Sequence, residues 1–157
     1  MTQSSPASAQ LWFEDFPVGR EDPLGPLSMT RDGIIAFARE FDPQPFHLDD
    51  AAGEASLFGG LASSGWHTCA LVHRMMCDAF MLDMAGMGSP GVDHLKWLKP
   101  VFPGDRLSGV CRVVDAREMN SRPGLGLVRF RAEVANQEGA PVYQMEAWVI
   151  VRKRPAA

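Results

Sequence analysis

The chain is 157 residues long and 46% apolar, one domain's worth and enough to bury about 70% of the unfolded surface in a single core. Nineteen acidic against 15 basic side chains leave a net charge of −4, which lacks the basic footprint of a nucleic-acid binder. With 22% charged residues and a mean hydropathy of −0.09, the composition also argues against bulk disorder and against a membrane-spanning chain. Three cysteines (Cys69, Cys77 and Cys111) without a Cys-x-x-Cys point away from a disulfide scaffold or zinc ribbon and toward a reducing compartment. The N-terminus has no basic, apolar leader, so the expected location is the cytoplasm.

In chain order, the small polar residues 1–10 predict a flexible tail. One domain is expected over 11–153, followed by a short tail over 154–157. Leu11-Trp12-Phe13 and Phe16-Pro17-Val18-Gly19 predict an apolar arm or leading strand. A Pro/Gly-rich stretch runs to Pro26, and Leu27-Ser28-Met29 is a short extended segment. Thr30 is the expected N-cap of a helix whose apolar stripe is Ile34, Ile35, Phe37, Ala38 and Phe41. Pro43 pushes Asp42 out of the α region and ends that helix.

Asp42-Pro43-Gln44-Pro45-Phe46-His47 predicts a stiff loop, because each proline fixes φ and removes a donor. Asp49 and Asp50 are placed to cap a short helix near Ala51 to Ala55. Phe58 to Gly65 is small and permissive, suited to close backbone approach. From Trp66 to about Met84 no Gly or Pro occurs, and apolar residues surround most of a helical circumference. Such a helix is buried, and His67, His73, Arg74, Asp78 and Asp83 interrupt it too often for a membrane span.

After Gly86 to Gly91 the pattern alternates. Strands are expected at Val92 to Leu98, Leu107 to Ala116, Val128 to Val134 and Tyr143 to Val151, separated by turn residues. The fold class is therefore α+β: an antiparallel sheet of four strands around a long central helix. A single sheet covers one side of that helix, so a homodimer is the expected partner arrangement.

Among residues that carry chemistry, Asp42 and His47 come first. A carboxylate and an imidazole on a stiffened loop can converge on one water molecule and move its proton, although Asp-x4-His alone also fits a helix end followed by a turn. The Ser63-Ser64-Gly65-Trp66 junction comes second. If the long helix starts here, its first amides are unpaired and carry positive potential. The Gly65 amide can then donate to a developing oxyanion, and Ser64 is equally suited to plain N-capping.

Phe41-Asp42-Pro43-Gln44-Pro45-Phe46-His47 resembles the Asp-x-Asn-Pro-x-His motif of the MaoC-like dehydratases, the (R)-specific enoyl-CoA hydratase family. Phe58 to Thr68 resembles that family's loop and central-helix start, and Leu95 to Asp105 its strand-and-turn segment. Gln44 departs from the usual Asn, and Ser64 stands where several relatives carry His. The resemblance implies the hotdog fold, a sheet wrapped around a long helix. It implies that Asp42 and His47 activate the water added to an enoyl thioester, and that the Gly65 amide stabilises the enolate oxygen. The implied substrate is a thioester of coenzyme A or of an acyl carrier, with no metal and no further cofactor.

Two other functions share that ligand: a hotdog thioesterase, with Asp78 or Glu54 as the carboxylate, and a non-catalytic acyl-thioester binding subunit. His67 and His73 lie six apart, which is not metal spacing, and read as core or interface histidines. Ser63 and Ser64 lack a Gly-x-Ser-x-Gly setting. Met75, Met76, Met81, Met84 and Met87 suit an adaptable core or an acyl chain. Lys96, Lys99, Arg129 and Arg131 are candidates for coenzyme A phosphates or for plain solvation.

Overall fold

A computed structural model describes residues 10–156; most of the expected N-terminal tail, 1–9, and Ala157 lie outside the described residues. The apolar arm is an irregular segment rather than a strand. Leu11 makes a single bridge to Met84, a 3-10 turn follows at Phe13–Asp15, and Phe16 drops into the core.

The stretch read as Pro/Gly-rich connection is a strand, β1 (Glu21–Ser28), so the sheet has five strands and not four. Two prolines are tolerated because β1 lies at the sheet edge, where a missing N–H leaves no neighbour unpaired. Its pairing with β3 (Arg106–Glu118) slips between Leu24 and Leu27, a bulge that bends the edge. Gly25 sits in that bulge with φ +80°, and a Cβ there would stand 2.7 Å from the Leu107 carbonyl oxygen, so only glycine fits.

Helix α1 (Arg31–Phe41) begins where expected: Thr30 Oγ1 accepts from the Gly33 amide at 3.1 Å, and Ile34, Ile35 and Ala38 are buried. A 3-10 turn at Pro45–His47 and the short α2 (Asp50–Glu54), capped by Asp49, follow. The central helix α3 (Gly65–Met76) continues into one π turn at Cys77–Met81 and ends there, short of Met84. Nor is it buried all round: Trp66, Ala70, His73 and Arg74 face out, while His67, Val72, Met75, Met76 and Phe80 face in.

Strands β2 (Gly91–Trp97), β3, β4 (Leu125–Ala135) and β5 (Pro141–Arg152) complete one antiparallel sheet in the order β1-β3-β4-β5-β2. Period-two alternation holds as expected. Leu107, Cys111 and Val113 on β3, Val128, Phe130, Ala132 and Val134 on β4, and Tyr143, Met145, Ala147, Val149 and Val151 on β5 form the inner face. They pack on α3 through Val72, Met75, Met76 and Phe80 in one core, the hotdog arrangement. Phe16, Phe80 and Phe130 meet at its centre, with the Phe80 and Phe130 rings stacked at 5.1 Å. The order leaves β2 at the second edge, beside the exposed side of α3.

Candidate active site

The end of α1 delivers the first functional group. Asp42 is its C-cap, with its amide bonded to the Ala38 carbonyl, and Pro43 turns the chain away. The 3-10 turn at Pro45–His47 then carries His47 back, so the two side chains converge: His47 Nε2 stands 3.5 Å from Asp42 Oδ2. The imidazole is 5% exposed and leans on Phe46 and Phe58.

The His47 tautomer follows from its other nitrogen. Nδ1 is 2.7 Å from the Ala62 carbonyl oxygen. A carbonyl only accepts, so Nδ1 carries the proton, and the neutral ring presents a lone pair at Nε2. Two acceptors, Nε2 and Asp42 Oδ2, thus face the same space, where a water can donate to either. The expectation that Asp42 and His47 come together is met by this geometry.

Asp42 is held from two more directions. Ser64 Oγ donates to Oδ2 at 2.6 Å and Gln44 Nε2 donates to Oδ1 at 2.7 Å. Partial burial pushes this carboxyl up, but the hydrogen bonds from Ser64 and Gln44, with the attraction of His47, outweigh it and hold the group below the usual range. Gln44, the departure from the usual Asn, therefore has a definite part: its amide orients the carboxylate.

The head of α3 supplies the third element. Ser64 is the N-cap, fully buried, its hydroxyl accepting from the Trp66 amide at 3.3 Å while donating to Asp42. One hydroxyl thus ties the helix start to the carboxylate. Gly65, whose amide has no intrahelical partner, lines a cleft of about 240 Å3 together with His47, Ser63, Thr68 and Lys99. Trp97, at the end of β2, closes over Gly65: its Nε1 donates to the Gly65 carbonyl at 2.9 Å, and a Cβ at residue 65 would stand 2.7 Å from the ring's Cδ2.

Other sequence candidates scatter. Asp78 is exposed and paired with Arg74 beyond the far end of α3, about 20 Å along the axis from Gly65; Glu54 is exposed on α2. Arg129 and Arg131 both bind Glu146 on the outer sheet face, and Asp93 pairs with Arg129. Met76, Met81 and Met84 line a second cavity of about 430 Å3, between the C-terminal end of α3 and the β2/β5 side of the sheet. Reading the sequence missed Trp97, the Ala62 carbonyl and the part played by Gln44. For Trp97 and Ala62 no local signal exists, because each meets its partner through the folded chain.

His67 is buried, stacked on Phe37 at 4.8 Å, with Nδ1 2.9 Å from Ser63 Oγ. Burial lowers its proton affinity, so below the unfolded value of about 6.5 the unfolded chain binds the extra proton. Stability is therefore unaffected by this residue above that pH and falls as pH drops through it, by up to about 1.4 kcal/mol per unit. Urea midpoints at pH 7.5 and 5.5 should show a smaller acid loss for His67→Gln than for the parent; equal losses would count against this.

Comparison with known proteins agrees with this geometry. The family model described as MaoC like domain matches residues 17–135. The chain belongs to the MaoC-like family of hydratases and dehydratases. A crystal structure of a MaoC-like dehydratase from Rhodospirillum rubrum is 39% identical and superposes with a TM-score of 0.86 over 93% of this chain and 99% of that one. An uncharacterized protein, YdeM, of Bacillus subtilis (strain 168) is 26% identical over 141 residues, 90% of this chain and 99% of its own length. Mesaconyl-CoA hydratase of Cereibacter sphaeroides is 45% identical over 76 residues, 48% of this chain but 22% of that enzyme.

Proposed function

We propose that the chain hydrates a trans-2-enoyl thioester to the 3-hydroxyacyl thioester, and runs the reverse dehydration, with Asp42, His47 and the Gly65 amide as catalytic groups. The observation that carries this reading is the pairing of Nε2 and Oδ2 across 3.5 Å, with the imidazole's other nitrogen committed to Ala62. The 45% identity to a mesaconyl-CoA hydratase over about half the chain supports a coenzyme A thioester as the ligand.

In the forward direction water donates to His47 Nε2 as its oxygen attacks C3. The C2=C3 electrons move toward the thioester carbonyl, where the Gly65 N–H, aided by the positive end of α3, stabilises the enolate oxygen. The ionised Asp42 stabilises the imidazolium that forms, and the proton returns to C2. The test is purified protein with a short trans-2-enoyl-CoA, following the double bond and free thiol separately. Absorbance of the double bond should fall without thiol release; thiol release unaffected by Asp42→Asn would instead point to a thioesterase.

The same reading includes a homodimer. Among the described residues the β2 edge is unpaired, and Trp66, Val92, Trp97 and Leu98 expose apolar surface beside it, a face suited to a two-fold partner. Sedimentation at micromolar concentration should give twice the chain mass, and Val92→Lys should shift it toward monomer. A stable monomer in the unmodified protein would overturn this.

A further inference from the structure

Apart from the Tyr143 hydroxyl, the buried polar side chains among the described residues are His47, Ser63, Ser64, His67 and Thr68, all gathered at the head of α3. The hydration reaction uses two of them, His47 and Ser64. Ser63 and Thr68 also line the cleft, 7% and 3% exposed, and Lys99 lines it from the loop after β2. Burying hydroxyls costs free energy unless something bonds them; Phe58, Trp97, Val101 and Val142 make the rest of the lining apolar, so these hydroxyls and Lys99 are the polar part of the cleft beside His47.

These groups are built in rather than incidental. Ser63 Oγ meets His67 Nδ1 at 2.9 Å, and the His67 ring is clamped by its stack on Phe37. The Ser63 amide donates to the Val101 carbonyl at 2.8 Å, which ties the Lys99-Pro100-Val101 segment against Ser63. Among the described residues Thr68 Oγ1 finds only the Ser64 carbonyl, at 3.5 Å, the outer limit of a hydrogen bond, so most of its bonding capacity there is unspent. The cleft, about 240 Å3, is below the range of about 300–1,000 Å3 usual for drug-sized ligands and suits a short acyl group.

We propose that the cleft selects short acyl thioesters bearing a second carboxylate, held by the Lys99 ammonium and the hydroxyls of Ser63 and Thr68. This rests on the thioester reading above and adds its substrate class. A carboxylate makes charge-assisted bonds to a cation and two hydroxyls, whereas an alkyl terminus offers nothing to the Lys99 ammonium or to the bonding capacity that Ser63 and Thr68 retain beyond their bonds to His67 and Ser64.

The test uses two unreactive thioethers of equal chain length, S-(3-carboxypropyl)-CoA and S-butyl-CoA, with binding measured by calorimetry. The unmodified protein should bind the carboxylate at least tenfold more tightly. Lys99→Met should bring that preference to within twofold and Ser63→Ala should cut it at least threefold, while S-butyl-CoA affinity stays within twofold and circular dichroism is unchanged. Equal affinities, a preference for the butyl compound, binding of neither, or a preference indifferent to both substitutions would overturn the proposal. Because the readout is binding, it is separable from hydration: an intact preference in a protein that never hydrates would sink the reaction and leave this assignment standing.

Discussion

His47→Ala is expected to lower kcat/KM for hydration of a short trans-2-enoyl-CoA by about a thousandfold or more, within the range of about 10²–10⁴ for loss of a positioned general base. Asp42→Asn should cost a comparable factor, because the amide cannot stabilise the imidazolium and its NH2 can point a donor at Nε2, occupying the lone pair the reaction needs. The two act on one proton, so the double variant should be little worse than the worse single one. Folding is a separate matter. His47→Ala leaves the buried Ala62 carbonyl without its donor, for roughly 1–3 kcal/mol, so urea midpoints must be measured beside activity. A folded His47→Ala protein retaining a tenth of the parent's kcat/KM would remove the imidazole from the mechanism.

The pH dependence expected of Asp42 has a definite sign. Asp42 is held below the usual carboxylate range, so it stays ionised through neutrality. Its contribution to stability is present above the unfolded value of about 3.9 and is lost only as pH falls through the lower folded value. Any loss of turnover between pH 7 and 5 is therefore assigned to another group.

Where a signal was local, the sequence carried it. The Thr30 cap, the stop before Pro43, the Asp49 cap and the alternation along β3, β4 and β5 are each written within a few residues, and each is realised. Asp42 and His47 belong to this class too, since the prolines between them leave the loop few ways to run. What escaped depends on context. Glu21–Ser28 contains two prolines and a glycine, and only its place at a sheet edge makes it a strand. The helix that reads as apolar on most sides exposes Trp66 and Ala70, because a one-layer sheet covers only part of it. Gln44 looked like a departure from a motif, yet its longer amide reaches the Asp42 oxygen opposite the one Ser64 holds.

The contact between Trp97 and Gly65 makes the second large effect predictable. Gly65 is helical and needs no unusual φ; it is glycine because the indole leaves no room, with a Cβ falling 2.7 Å from Cδ2 and 2.8 Å from Nε1. Gly65→Ala must therefore displace either the ring, breaking the Nε1 bond to the Gly65 carbonyl, or the first turn of α3, which carries the proposed oxyanion donor at the cleft. Overpacking of this kind costs about 1–3 kcal/mol of stability. Misplacing an oxyanion donor costs about 10²–10³ in kcat, so the loss of turnover should far exceed what the stability change explains. Adding Trp97→Ala should separate the causes: with the ring gone the methyl fits, the amide can return, and part of the lost kcat should come back. A single Gly65→Ala protein with unaltered kcat would show that the amide does not stabilise the enolate, and a double variant no better than the single would show that the indole is not what places it.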